Sequence, residues 1–304
     1  MNLSKIQLSI LALILANVVW GASFPIYKWS LENVPPFTFS FIRFFGGALI
    51  ILPFVLRMLK VVKEDVPKLI LVSFVSVTIQ IPLLFLGLQL SPSINAPIIV
   101  SSGPIFLIIA SIIFLKENLK VKVLGGTLIG LGGVFLILLR PIIESGFSGG
   151  LLGNLFIFMA TLCGVGQAII LKKLTARNDP LTLTFWMFLI GSLPLLPFVI
   201  WEGRNFDIFN DLNFQGAIGL TYGIILASVL AHWFLAYGIK HIKASEVGIF
   251  SYVDPLATIV VAVPLLGESI TPIYIAATIL VFLGIFIAEG RLHYHPLHKL
   301  FSNR

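Results

Sequence analysis

A chain of 304 residues that is 58% hydrophobic and 11% charged is not a water-soluble globule, because soluble domains carry roughly 25% charged residues. Its formal net charge of +7 suits an acidic partner such as nucleic acid only if the basic residues share one surface, and their placement along the chain excludes that. The lone Cys163 excludes a disulfide within the chain.

A bilayer-spanning helix needs about 20 mostly apolar residues, and ten such stretches follow one another: 6–27, 37–58, 67–89, 95–115, 121–140, 151–171, 181–201, 214–238, 245–265 and 272–290. The connections between them are too short for a separate soluble domain. The first stretch, with a single Lys nearby, is similar to a secretion signal, yet span six repeats it, so it reads as a retained first helix. Span two carries Arg43, span three Gln80 and Pro82, and span four Asn95, Pro97, Ser101 and Pro104. Span five is glycine-rich, with a GxxxG at Gly126 and Gly130, and span ten answers with Ala276, Ala277 and Gly284. Such residues let helices approach closely inside a bilayer, within one molecule or between two.

The order of these features is duplicated. Pro104, Glu117 and Gly133 reappear as Pro255, Glu268 and Gly284, and Lys28, Pro36 and Pro53 as Lys172, Pro180 and Pro197. The offset grows from 144 to 151 residues, and a longer loop around 202–213 absorbs the difference. Five spans per half is an odd number, so the second half enters the membrane from the opposite side. This predicts an all-α integral membrane protein of ten transmembrane helices, built as two inverted five-helix repeats over residues 1–140 and 141–304, the latter with a short cytoplasmic tail.

Orientation follows from charge. With a cytoplasmic N-terminus, sixteen Lys and Arg fall in the cytoplasm; Lys28, Arg140 and Arg204 lie outside and Arg43 within a span. Basic residues are retained in the cytoplasm on insertion, so both termini are expected there, in the inner (cytoplasmic) membrane. The basic residues then set topology and touch lipid headgroups, which leaves no nucleic-acid partner.

Polar groups at membrane depth mark the expected substrate site. Asp254 precedes Pro255 near the middle of span nine, where a carboxylate costs about 2.5–3.5 kcal/mol on insertion scales; it suits a coupling proton, a substrate amine, or a structural partner such as Arg43 or His232. Pro104 and Pro255, matched breaks near mid-depth, point to a transport site. Arg43 could clamp a carboxylate, staple helices or snorkel. His232 lies beside Trp233 in span eight. Asn17 and Trp20 in span one, Gln80, Asn95, Ser101, Gln167 in span six, and Tyr252 complete the candidate substrate-binding set. Glu246, one turn inside the cytoplasmic end of span nine, either snorkels toward water or lines the mouth of a pathway, and Glu117 and Glu268 are expected to bond the start of the helix that follows each. No metal ligand set and no cofactor is called for.

Trp20-Gly21-Ala22-Ser23-Phe24-Pro25, Arg43-Phe44 with Ala48 and Pro53, Pro104 with Leu115-Lys116-Glu117 and Gly132-Gly133, and Pro255 with Leu266-Gly267-Glu268 and Gly284 together resemble the EamA family of the drug/metabolite transporter superfamily. The resemblance covers essentially the whole chain. It implies ten helices, alternating access, a central cavity lined by helices 1, 3, 4, 6, 8 and 9, and export of small metabolites such as amino acids or related amphipathic compounds. Within the superfamily the alternatives are a drug-efflux pump or a lipid-carrier flippase, and outside it a membrane scaffold or sensor. In the second half Leu162-Cys163-Gly164 stands in place of the Trp-Gly pair, and Met187 stands opposite Arg43. A basic pair expected in the ninth helix of sugar-phosphate carriers is absent, which argues against a phosphorylated substrate. An enzyme is not expected, since HExxH and paired intramembrane aspartates are missing. The expected partners are a small-molecule substrate and the bilayer, with the chain as monomer or homodimer.

Overall fold

The computed structural model describes residues 5–103, 105–106, 109, 121–145, 149–239, 250–251 and 253–288. Among them every regular element is helical. In chain order these are α1 (Lys5–Ser30), α2 (Pro36–Val55), α3 (Lys63–Leu90), α4 (Asn95–Ser101), α5 (Val121–Ser145), α6 (Gly149–Leu174) and α7 (Pro180–Glu202). Then come α8, built from Phe214–Thr221, Tyr222–Leu230 and Ala231–Ile239, α9 (Val253–Leu266) and α10 (Pro272–Ala288). Seven of these are long and apolar enough to cross a membrane; α9 and α10 are shorter apolar helices. Pro104, Glu117, Glu246 and Tyr252, singled out above, lie outside the described residues.

The chain sets its helix boundaries locally. Proline opens α2, α7 and α10, where a missing N–H is harmless and the fixed φ suits the first turn. Asp179 accepts from the Thr182 amide at the start of α7, and Asn213 from the Gly216 amide at the start of α8, each satisfying a donor that the helix cannot. Gly267, at φ +63°, ends α9 in the left-handed conformation that glycine adopts without strain.

Both α3 and α8 contain a π-helical stretch, Phe74–Ile79 and Tyr222–Leu230. The i to i+5 turn is rare and concentrates at functional sites; here it recurs at matched places in the two halves.

Packing follows the duplication. α1 lies against α8 and α9, and α6 lies against α3 and α4, so each half sends its first helix into the other. α2 packs on α7 and on the π stretch of α8, and α7 on the π stretch of α3. α5 and α10 pair with one another. Gly130 meets the backbone of Gly284, and Gly133 meets Ala277 and Val281 so closely that a Cβ would collide. The glycine seam is therefore used within the molecule.

Helix ends carry the ionic ties. At one end Lys28 donates to Glu268 at 3.0 Å and to the Ser91 carbonyl at 2.8 Å. Glu268 accepts from the Ser93 amide, the Ser93 hydroxyl and the Ile94 amide. It thus caps the start of α4, not of α10 as the sequence suggested: the chain turns at Gly267 and presents the carboxylate to the neighbouring helix. Glu202 closes α2 in the same manner, accepting from the amides of Phe37 and Thr38 and the Thr38 hydroxyl. At the other end Asn178 donates to Asp65, Arg177 pairs with Glu64, and Thr182 donates to the Met58 carbonyl. Each group of contacts unites residues placed on one membrane face by helices of alternating direction.

Candidate functional site

Two repeat-related positions, each built from helices of both halves, carry similar geometry with different side chains. In the first, Trp20 on α1 meets His232 on α8 edge-on, ring centroids 5.3 Å apart. The Trp20 indole donates to the Ala227 carbonyl at 3.1 Å, and His232 Nδ1 lies 3.2 Å from the same oxygen. This carbonyl lies within the π-helical stretch of α8. Phe188 packs edge-on against His232 from α7. One residue along α1, Gly21 runs so close to α9 that a Cβ there would strike the Asp254 backbone, and the Gly21 carbonyl accepts from Thr258. Asp254 is 8% exposed, and its Oδ1 has no hydrogen-bond partner.

Arg43 does not snorkel. It is 7% exposed, its Nε donates to Ser228 at 3.2 Å, and its guanidinium lies 4.8 Å from the ring centres of both Tyr27 and Phe44. Two aromatic faces and a hydroxyl replace the water that it gives up, and desolvated cation–π contacts are worth about 2 kcal/mol or more. Tyr222 closes this cluster, packing on Tyr27 and donating to the Val19 carbonyl. Among the described residues neither Arg43 nor His232 forms an ion pair with Asp254.

The second position is its counterpart. Adding 144 to α1 numbers sets Trp20 against Gly164 and Asn17 against Thr161; in the first part of α3 an offset of 152, one more than that of the following residues, sets Ser76 against Ser228 and Gln80 against His232. The structure makes the same pairing, since a Cβ on Gly164 would point at the Gln80 amide from 3.2 Å, as Trp20 points at His232. Where Asp254 stands in one half, Gly103 stands in the other. Replacing an indole and a carboxylate by two hydrogens leaves space: a cavity of about 350 Å³ lies between α1, α3, α4 and α6, lined by Phe24, Gln80, Val100, Gly103, Thr161 and Gly164 among others. Gln80 Oε1, and on the same helices Ser76 Oγ and Ser101 Oγ, are buried without a partner.

The remaining expected site residues disperse. Asn17 donates to the Leu13 carbonyl of its own helix at 2.8 Å. Asn95 is fully buried in a network in which Arg140 donates to it at 2.8 Å and it donates to Asn154 at 3.1 Å, while Asn154 bonds the α5 carbonyls of Ile137 and Leu138. Gln167 is partly exposed on α6, one turn beyond Gly164. Trp20 and His232 thus come together with Asp254 nearby on α9, Gln80 and Ser101 sit at or beside the cavity, and Asn95 belongs to a tie between helices. Sequence reasoning singled out neither Ser76 nor Thr161, and took Gly103 and Gly164 only as places where the two halves differ. The signal was present: Ser-Val-x-x-Gln at 76–80 and Ser-Val-x-x-His at 228–232 are one motif, written twice with its last residue changed.

The sequence model of the EamA-like transporter family matches twice, over residues 7–139 and 151–289. An "uncharacterized transporter" of Archaeoglobus fulgidus is 24% identical over 282 residues, covering 93% of this chain and 86% of that one. The "uncharacterized transporter YetK" of Bacillus subtilis is 26% identical over 277 residues, covering 90% of this chain and 84% of its own length. One solved crystal structure superimposes with a TM-score of 0.64 at 18% identity, covering 94% of this chain and 99% of that chain, which is a likeness of fold.

Proposed function

Because the chain belongs to the EamA-like transporter family, and is therefore a membrane transporter, we propose that it is a secondary active exporter of small metabolites working by alternating access. The halves 1–140 and 141–304 rock about the two central positions, in the cytoplasmic membrane, with both termini in the cytoplasm. The cargo is a small amphipathic compound, an amino acid or a relative of one. Asp254 is the residue for the coupling proton. The observation that carries this reading is a buried carboxylate oxygen without a partner on α9, at the point where Gly21 brings α1 against it.

The chemistry of such a site is modest. A carboxylate held in apolar surroundings is stabilised either by a proton or by a cationic group of the cargo. Exchanging one for the other couples the two fluxes without covalent chemistry. Arg43, bonded to Ser228 and stacked on two rings, holds α2 to α8 and positions the π stretch that frames His232. The families of contacts at the helix ends, Lys28 with Glu268 above all, close one face while the other opens.

The test is a thermal-shift screen of the purified protein against metabolites, followed by flux in proteoliposomes for each hit. A ligand that binds the folded state raises its stability with occupancy. Saturable flux of a hit supports transport, and hits that bind without ever crossing the bilayer point to a membrane sensor.

A further inference from the structure

We propose that the corner of the molecule where the α2–α3 loop lies across the start of α7 is a selective binding surface for the headgroup of an anionic phospholipid. The surface does more than touch headgroups in general: it tells an anionic headgroup from a zwitterionic one. The inference rests on the chain's being a membrane protein, and not on its cargo or on which face is cytoplasmic.

The loop is pinned. Asn178, in the turn between α6 and α7, accepts from the Val62 amide at 2.9 Å and donates to Asp65 at 2.9 Å. The Thr182 hydroxyl donates to the Met58 carbonyl and the Trp186 indole to the Leu59 carbonyl, both at 3.0 Å. Val61 packs on the buried cluster of Leu69, Leu174 and Leu183. Arg57, Lys60 and Lys63 are left exposed on this fixed segment, and Lys173 is exposed in the last turn of α6. The nearby carboxylates are already engaged: Glu64 pairs with Arg177, Asp65 with Lys68, and Asp179 caps α7. Among the described residues no ion pair reaches Arg57, Lys60, Lys63 or Lys173.

The joint itself does not need this charge. In the matching turn between α1 and α2, Asn33 donates to the Asp211 carbonyl and accepts from the Asn213 amide, holding the α7–α8 loop at the other membrane face. That loop carries Arg204 with Asp207 and Asp211. One latch is thus built twice, once with excess positive charge and once with excess negative. The apolar neighbours choose the partner. Phe54, Leu56 and Met58 are exposed on the same segment as the cations. A soluble phosphate or a nucleic acid answers the cations alone, whereas a phospholipid answers both, its phosphodiester meeting the cations and its chains covering the apolar side chains. Each Lys or Arg held near an anionic surface strengthens attachment about fivefold, and a pinned loop gives up little freedom on binding.

The probes are phosphatidylglycerol and phosphatidylcholine carrying the same fluorescent acyl chain, bound to the full-length protein in neutral detergent micelles, where the direction of membrane insertion has no influence. Wild type should hold phosphatidylglycerol at least about tenfold tighter. Lys60→Gln combined with Lys63→Gln should remove most of that preference, and Arg57→Gln combined with Lys173→Gln should do the same. Lys60→Arg combined with Lys63→Arg should keep it. Thermal unfolding of these variants should stay near wild type, since the substituted side chains are exposed. Arg204→Gln, in the other loop, should leave the preference unchanged. Equal binding of the two lipids by wild type overturns the proposal, as does an undiminished preference in both folded glutamine variants. Displacement of phosphatidylglycerol by an equal concentration of glycerol phosphate overturns the lipid in favour of a soluble anion. The transporter reading is judged apart, by flux in proteoliposomes, and headgroup preference alone judges this surface.

Discussion

Gly164 stands in the second half where Trp20 stands in the first, and the indole that packs against His232 at 5.3 Å is the volume missing in front of Gln80. Inverted repeats are usually read for what they share. In this protein the shared residues (Gly47 and Gly191, the two π-helical stretches) hold helices together, and the differences shape the site. Gly47 packs against Phe188 and Ser228, and Gly191 against Ser73 and Val77, so α2 on α8 and α7 on α3 are one joint built twice.

Removing the indole should make the two halves alike. Trp20→Gly is expected to lower stability by about 3–5 kcal/mol, the usual loss for deleting a packed aromatic, and to open a second cavity. Unfolding of the variant titrated with indole should recover part of that loss as the ligand refills the space. Wild-type stability in Trp20→Gly would show that the indole is not structural.

The Arg43–Ser228 contact should appear as an interaction energy. Arg43→Met, which installs the residue found at Met187, and Ser228→Ala are expected to couple by about 1–2 kcal/mol in a double-mutant cycle of unfolding in detergent. Arg43→Lys should be worse than its conserved charge suggests, because an ammonium cannot lie flat between Tyr27 and Phe44. Strict additivity would mean that the guanidinium is held by the rings alone.

Glu268→Ala leaves two amides and one hydroxyl at the head of α4 without their acceptor and strips Lys28 of its counter-charge. The expected loss is about 2–4 kcal/mol, with Glu268→Gln retaining part of it. Hydrogen exchange at Ser93 and Ile94 should accelerate in the alanine variant. Unaltered exchange there would remove the cap from the account.

Sidedness has its own check. In a Cys163→Ser background, a cysteine at Phe209, which is 94% exposed, should react in intact cells with a membrane-impermeant maleimide. One at Arg177, on the opposite face, should react only after permeabilisation. The reverse pattern would invert the topology derived from the basic residues.

Much of this architecture was legible because the bilayer imposes simple rules. Apolar length marks spans, odd span number forces inversion, and prolines repeated at fixed offsets reveal the duplication. The glycines of α5 and the small residues of α10 announced a close helix contact, and the structure makes it. The site was less legible for a physical reason. A cavity comes from what is absent, and Gly103, Thr161 and Gly164 have no chemistry that draws notice in a row of letters. Polar residues drew notice instead, and Asn95 shows the hazard: an amide at membrane depth reads as a ligand group, yet its capacity goes to Arg140 and Asn154. Glu268 was recognised as a helix-end carboxylate, but only packing decides which neighbouring helix it caps.

The central claim is that the unpaired carboxylate of α9 couples proton movement to cargo. It is tested most directly by flux of an identified substrate in proteoliposomes containing wild type or Asp254→Asn, measured across a pH series with and without an imposed proton gradient. The account predicts gradient-driven flux for wild type, and for Asp254→Asn a flux that no longer responds to the gradient or to pH. Wild-type rates from Asp254→Asn at every pH would contradict it.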